Sequence, residues 1–94
     1  MPGYLVFEIE VTDPDAYARY REVAGPILMA GGGRFVLSSD TIEPLEGNWR
    51  PASLSVVEFS SAAEAREFYH SDAYQKVIEL RQLSSRARGI LIET

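Results

Sequence analysis

Residues 4–11, Tyr-Leu-Val-Phe-Glu-Ile-Glu-Val, put Leu5, Phe7, Ile9 and Val11 on one side and Tyr4, Val6, Glu8 and Glu10 on the other. That period of two predicts a strand. Thr12-Asp13-Pro14-Asp15 then opens a helix: Asp13 can cap free amides, Pro14 suits the first helical position and Asp15 favours the positive end of the dipole. Tyr17, Tyr20, Ala24 and Ile27 or Leu28 follow at three-to-four spacing, one stripe of a helix. Gly25-Pro26 falls inside it, and the missing backbone donor predicts a kink or a brief break. Gly31-Gly32-Gly33 ends the helix, because glycine takes positive φ without a steric cost.

Arg34–Ser38 predicts a second strand, apolar on both faces. Residues 39–52 form a long connection turning at Glu46-Gly47-Asn48, and Leu54–Phe59 is the third strand. Ser61-Ala-Ala-Glu64 has capping-box spacing and starts a helix that turns Ala65, Phe68 and Tyr69 inward. The pattern breaks at His70. Ser71 caps a restarted helix with the stripe Tyr74, Val77, Ile78 and Arg81, and Gly89–Glu93 is the last strand. The order β-α-β-β-α-β predicts an α+β, ferredoxin-like fold: a four-stranded antiparallel sheet with helices on one face. The uncovered face of such a sheet is polar in a monomer. Here Val36 or Leu37 and Leu91 or Ile92 must point away from the helices, and Tyr4, Val6, Leu54 and Val56 join them. An apolar second face predicts a homodimer packed sheet to sheet.

Length supports that expectation. Ninety-four residues read as a single domain, residues 1–94, of a size that gains from association where disulfides are absent, and there is no cysteine. No basic leader precedes an apolar core and no window nears the ~18 apolar residues of a membrane span, so a cytoplasmic chain without membrane association is expected. Fourteen acidic against nine basic residues, net −5, argue against nucleic acid as a partner. Eight of the nine basic residues are arginine; Arg81, Arg86 and Arg88 fall together, as a solvated helix end or a local anion site.

Taken in order, Asp13-Pro-Asp-Ala-Tyr17, Ala24-Gly-Pro26, Gly32-Gly-Arg-Phe35, Leu45-Glu-Gly-Asn-Trp-Arg-Pro51, Val57-Glu-Phe59 and Phe68-Tyr-His-Ser71…Tyr74…Leu80-Arg81 resemble the small bacterial family called domain of unknown function 1330. The resemblance covers essentially the whole chain. It implies a dimeric α/β-barrel arrangement, in which ferredoxin-like monomers dimerise through their sheets. The wider superfamily spans cofactor-free monooxygenases, isomerases, haem enzymes and stress-response proteins, so the fold alone implies no chemistry.

His70 is the one side chain whose ordinary titration lies near neutrality, which makes it the candidate for any acid–base step; it also suits a helix break bonded to a carbonyl or tyrosine. Ser71 and Asp72 adjoin it, but no nucleophile elbow is present. A single histidine and no cysteine exclude a histidine- or cysteine-rich metal site within one chain and leave only carboxylates as ligands; no metal and no cofactor are expected. Arg81 falls on an apolar stripe and must be paired, either with a carboxylate such as Glu8 or Glu58 or with an anionic ligand. The two glutamates could instead form ion pairs with Arg34 or Arg50. Trp49 could cover a pocket mouth or anchor its loop on a partner subunit. Of the five tyrosines, Tyr17, Tyr20, Tyr69 and Tyr74 could line a cleft between helices and sheet. Two functions follow. One is a small-molecule binding protein or cofactor-independent enzyme for an acidic or aromatic ligand, using Tyr17, Trp49, Phe68, Tyr69, Tyr74 and Arg81 with His70 as the proton-handling group. The other is a non-catalytic dimeric interaction module.

Overall fold

The strand pattern of residues 4–11 survives intact in the computed structural model, which describes all 94 residues. β1 (Gly3–Val11) turns Leu5, Phe7 and Ile9 into the core and leaves Tyr4, Val6 and Glu8 half-buried on the opposite face. α1 (Pro14–Ala30) starts where the Asp13 carboxylate accepts the Ala16 amide at 3.2 Å. It runs through Gly25-Pro26 as one helix, so the expected interruption does not divide it. Ala24 and Leu28, both buried, hold the helix on either side of the single missing hydrogen bond. Gly32, at φ 90°, lets the chain leave the helix.

β2 (Arg34–Ser39) and β3 (Leu54–Phe59) are joined by the long connection, which turns at Gly47 with φ 74°. α2 (Ala62–Tyr69) and α3 (Asp72–Ser84) are capped by the hydroxyls of Ser61 and Ser71, which accept the amides of Glu64 and Tyr74. β4 (Ser85–Glu93) begins four residues earlier than its apolar run suggests. β1 offers a full-length edge, and the pairing runs unbroken from Gly3–Glu93 to Val11–Ser85. Arg86 and Arg88 therefore lie on a strand rather than at a solvated helix end.

The strand order is β2-β3-β1-β4, all pairs antiparallel, with the helices on one face: the ferredoxin-like plan. Leu5, Phe7, Ile9, Val57 and Phe59 from the sheet meet Ala65, Phe68, Tyr74 and Ile78 from α2 and α3. Gly89 sits opposite Phe7, where a Cβ would come within 2.7 Å of the ring, so glycine is what allows the ring to lie over β4.

The other face is laid out in rows. The cross-strand register aligns Leu37, Val56, Val6 and Ile90 in one apolar line across all four strands. On one side lies Arg34-Glu58-Tyr4-Ile92, and on the other Ser39-Leu54-Glu8-Arg88. The molecule is 33 × 32 × 16 Å, one sheet and one helical layer thick, so no second layer of the chain covers these rows. Leu37 and Ile90 are 49% and 61% exposed. No helix is long and apolar enough to cross a membrane.

Candidate functional site

α1 leans on α3 rather than on β2 and β3, and the gap beneath it is a cleft of about 950 Å³. Phe7, Ile9 and Val57 form the floor toward the core, continued by Ser55, Ser38 and Phe35 toward the β2 edge. Ser38 and Ser55 face each other across the strand pair with their hydroxyls 3.0 Å apart. The helical wall is Tyr17, Tyr20, Arg21, Ala24 and Leu28 of α1, closed at depth by Phe68 and Tyr74.

The expected site residues divide. Tyr17, Phe68 and Tyr74 line this cleft, together with Tyr20. Tyr69 packs against the core behind Tyr74, ring centroids 5.8 Å apart, and does not reach the cleft. His70 caps α2 in the open, its ring edge-on to Tyr69 at 5.2 Å; its side chain makes no hydrogen bond, neither to a carbonyl nor to a tyrosine hydroxyl. Trp49 lies on the far face of the sheet, its indole N–H donating to Glu8 Oε1 at 2.6 Å. Arg88 Nε donates to the other oxygen of Glu8 at 2.6 Å, and Arg34 pairs with Glu58, which also accepts from the Tyr4 hydroxyl at 3.0 Å. Both glutamates are thereby committed to the outer face, Glu58 by the expected ion pair with Arg34 and Glu8 by Arg88 rather than Arg50. Neither reaches Arg81. Arg88, and then Trp49, hold the Glu8 carboxyl below the usual carboxylate range.

Arg81 is the unusual group. It is 6% exposed, and no carboxylate comes within salt-bridge distance of it. Its Nη1 donates to Tyr74 Oη at 3.1 Å, its Nε has no partner, and its guanidinium carbon lies 4.8 Å from the Phe7 ring centre. A cation over an aromatic face is attracted to it, but a ring does not replace a carboxylate. Tyr74 Oη is in turn 2.8 Å from Tyr20 Oη. Arg81, Tyr74 and Tyr20 thus form one polar chain running from the core to the cleft wall.

Burial pushes the phenols of Tyr20 and Tyr17 above their ordinary pKa, and the Tyr74 phenol, through charge and hydrogen bond, pushes Tyr20 further. Tyr4 is raised first by its bond to the Glu58 carboxylate. A raised phenol pKa contributes stability that is complete below the unfolded value of 10.0 and disappears as pH climbs toward the folded one. Stability should therefore decline from about pH 10 upward. In step with it, the 295 nm phenolate absorbance of the folded protein should fall short of that of the unfolded chain at the same pH. Identical titrations of folded and unfolded protein would contradict this.

The sequence pointed to α2–α3 around His70, whereas the cleft opens under α1 toward β2. Ser38, Ser55 and Phe35 went unrecognised as lining. A signal for Ser55 existed: it shares parity with Val57 and Phe59, so a small polar residue stands where an inward strand position ordinarily carries an apolar one. No group of three or more His, Asp or Glu side chains stands close enough to hold a metal ion.

Fold and cleft define a ferredoxin-like α+β protein with a pocket between helix and sheet. Residues 2–94 match the family described as Domain of unknown function (DUF1330), and the chain belongs to that family. Its structure is similar to that of a protein of unknown function from Rhodopseudomonas palustris, with TM-score 0.78 and 20% identity over 99% of this chain and 82% of that one. It is also similar to SnoaB, a cofactor-independent oxygenase from Streptomyces nogalater, with TM-score 0.70 and 11% identity over 99% and 92%. A dimeric ferredoxin-like protein of unknown function from Jannaschia sp. CCS1 superposes with TM-score 0.68 and 14% identity over the full length of both chains. Identities this low establish the shared fold alone. No curated protein matches the chain in sequence.

Proposed function

We propose that residues 1–94 act as one domain that binds a small molecule with a flat apolar body between α1 and the sheet, and that two copies pack through the open sheet face. The observation that carries the binding reading is the cleft. Its volume of about 950 Å³ falls at the upper end of the range for small-molecule sites, roughly 300–1,000 Å³. Thirteen of its twenty-one lining residues are apolar, so it favours an apolar guest, while Tyr17, Tyr20 and the Ser38–Ser55 pair supply polar handles. The dimer is supported by the apolar row and by the relative from Jannaschia sp. CCS1 described as dimeric. SnoaB shows that this fold can carry cofactor-independent oxygenase chemistry, which keeps an enzymatic role for the same cleft in view.

The neutral fluorophore N-phenyl-1-naphthylamine tests the cleft. Saturable binding of one molecule per chain is expected, with a Kd in the micromolar range, about −8 kcal/mol. Ser55→Phe fills the floor and should weaken binding about tenfold or more. Absence of saturable binding, or a Ser55→Phe protein that binds as well as the parent, would refute the assignment.

A further inference from the structure

The hydrogen bonds around Arg81 specify more than an apolar guest. A guanidinium can only donate, and Nη1 of Arg81 donates to the Tyr74 oxygen. The Tyr20 and Tyr74 hydroxyls bring two protons to their mutual contact, and their bond uses one. Arg81 takes up a lone pair of Tyr74 and offers no acceptor in return. Whichever phenol donates to the other, one phenolic proton is left without a partner in the protein. Both residues line the cleft.

We propose that the Tyr20–Tyr74 hydroxyl pair, backed by the buried charge of Arg81, is an oxyanion site on the cleft wall, and that the ligand is a flat apolar molecule carrying one ionised or enolised oxygen, such as an aryl carboxylate, a phenolate or an enolate. This rests on the cleft being the binding site. The unspent proton meets the ligand oxygen, and the positive charge behind it strengthens each bond in the chain, since hydrogen bonds in series polarise one another in a low-dielectric surrounding. The ligand's negative charge in turn supplies the compensation that Arg81 does not receive from any carboxylate of the protein. Arg21 lines the same cleft and adds a second positive charge, against the single acidic residue Asp40. Burial keeps the Tyr20 phenol protonated, hence a donor, across the ordinary pH range.

Paired probes of one shape and different charge decide the matter: 2-naphthoate and 2-naphthamide, titrated by their own fluorescence. A hydrogen bond to a charged group is worth about a factor of ten or more over its neutral counterpart, so naphthoate should bind about tenfold tighter than naphthamide. Tyr20→Phe keeps the ring and removes one hydroxyl, and Arg81→Met removes the charge. Each should reduce the preference below about threefold. If Tyr20→Phe does not fold, as judged by circular dichroism, Arg81→Met carries the test. Equal binding of the two probes by the parent protein, or a preference that persists in Arg81→Met, overturns the oxyanion site while leaving the cleft assignment standing. If neither probe binds, the oxyanion site falls, and the cleft falls with it only if N-phenyl-1-naphthylamine does not bind either.

Discussion

Tyr74→Phe is expected to lower the unfolding free energy by about 3 kcal/mol, and Arg81→Met to remove that loss when the two are combined. The Tyr74 oxygen is the one acceptor found for the Arg81 side chain, which is otherwise buried among apolar groups with its Nε unpartnered. Stripping that oxygen leaves a buried charge held only by the Phe7 ring. Breaking a buried charged interaction from one side costs about 3–5 kcal/mol, of which the cation–π contact offsets a part. Replacing the charge with an apolar side chain of similar reach has the opposite sign: such exchanges are often neutral or stabilising by about 1–4 kcal/mol. Arg81→Met alone should then match or exceed the parent in stability. In a domain of this length 3 kcal/mol corresponds to a midpoint shift of roughly 15 °C, easily read by calorimetry at fixed chain concentration. The double variant should differ from the sum of the single effects by at least about 2 kcal/mol. Simple additivity would show that Arg81 does not depend on Tyr74. An Arg81→Met protein that is more stable yet loses its preference for anionic ligands would mark the arginine as a group kept for binding at the expense of folding.

Val56→Asp is expected to separate the two copies of the proposed sheet-to-sheet dimer. Val56 stands in the row Leu37-Val56-Val6-Ile90, and its strand β3 is an inner one, so a carboxylate there would be desolvated in any sheet-to-sheet dimer. Burying an unpaired charge costs several kcal/mol, enough to raise the dimer Kd about a hundredfold or more. The helical face does not see the change, because Val56 points away from it. Sedimentation equilibrium at micromolar concentration should give twice the chain mass for the parent and the chain mass for the variant. A monomeric parent, or a variant that still pairs, would remove this face as the interface.

Much of the fold can be read directly along the chain. The alternation of residues 4–11, the caps at Asp13, Ser61 and Ser71, the helix exit at Gly31–Gly33 and the break at His70 all fall where the local chemistry puts them. These are local effects: a hydroxyl two or three residues from a free amide, or a glycine free to take positive φ, acts whatever lies across the molecule. That apolar residues stand on both sheet faces was equally plain, because strand periodicity assigns sides without needing to know neighbours; that charged pairs flank the outer apolar row was not. Two expectations gave way for the same reason in reverse. A break at Gly25-Pro26 rests on an isolated missing hydrogen bond, and the burial of Ala24 and Leu28 keeps the helix continuous through it. Arg86 and Arg88 are polar residues drawn into β4 because the nine residues of β1 offered them backbone partners and two glutamates.

The candidate site follows the same division. That Tyr17, Tyr20 and Tyr74 fall on inward helical stripes was written in their spacing, and so was the need of Arg81 for a partner. Which partner it would have, and where the space would open, was decided by how α1 settles: chiefly against α3, with a gap left toward the β2 edge. That placement sums many weak contacts between segments distant in sequence. It leaves His70 and Trp49 away from the cleft, while Glu8 and Glu58 lie on the opposite face by strand alternation alone. It brings Tyr20, fifty-four residues from Tyr74, within hydrogen-bonding distance of it. Periodicity specifies the face on which a side chain lies. Only the packing of one element on another specifies what it meets there.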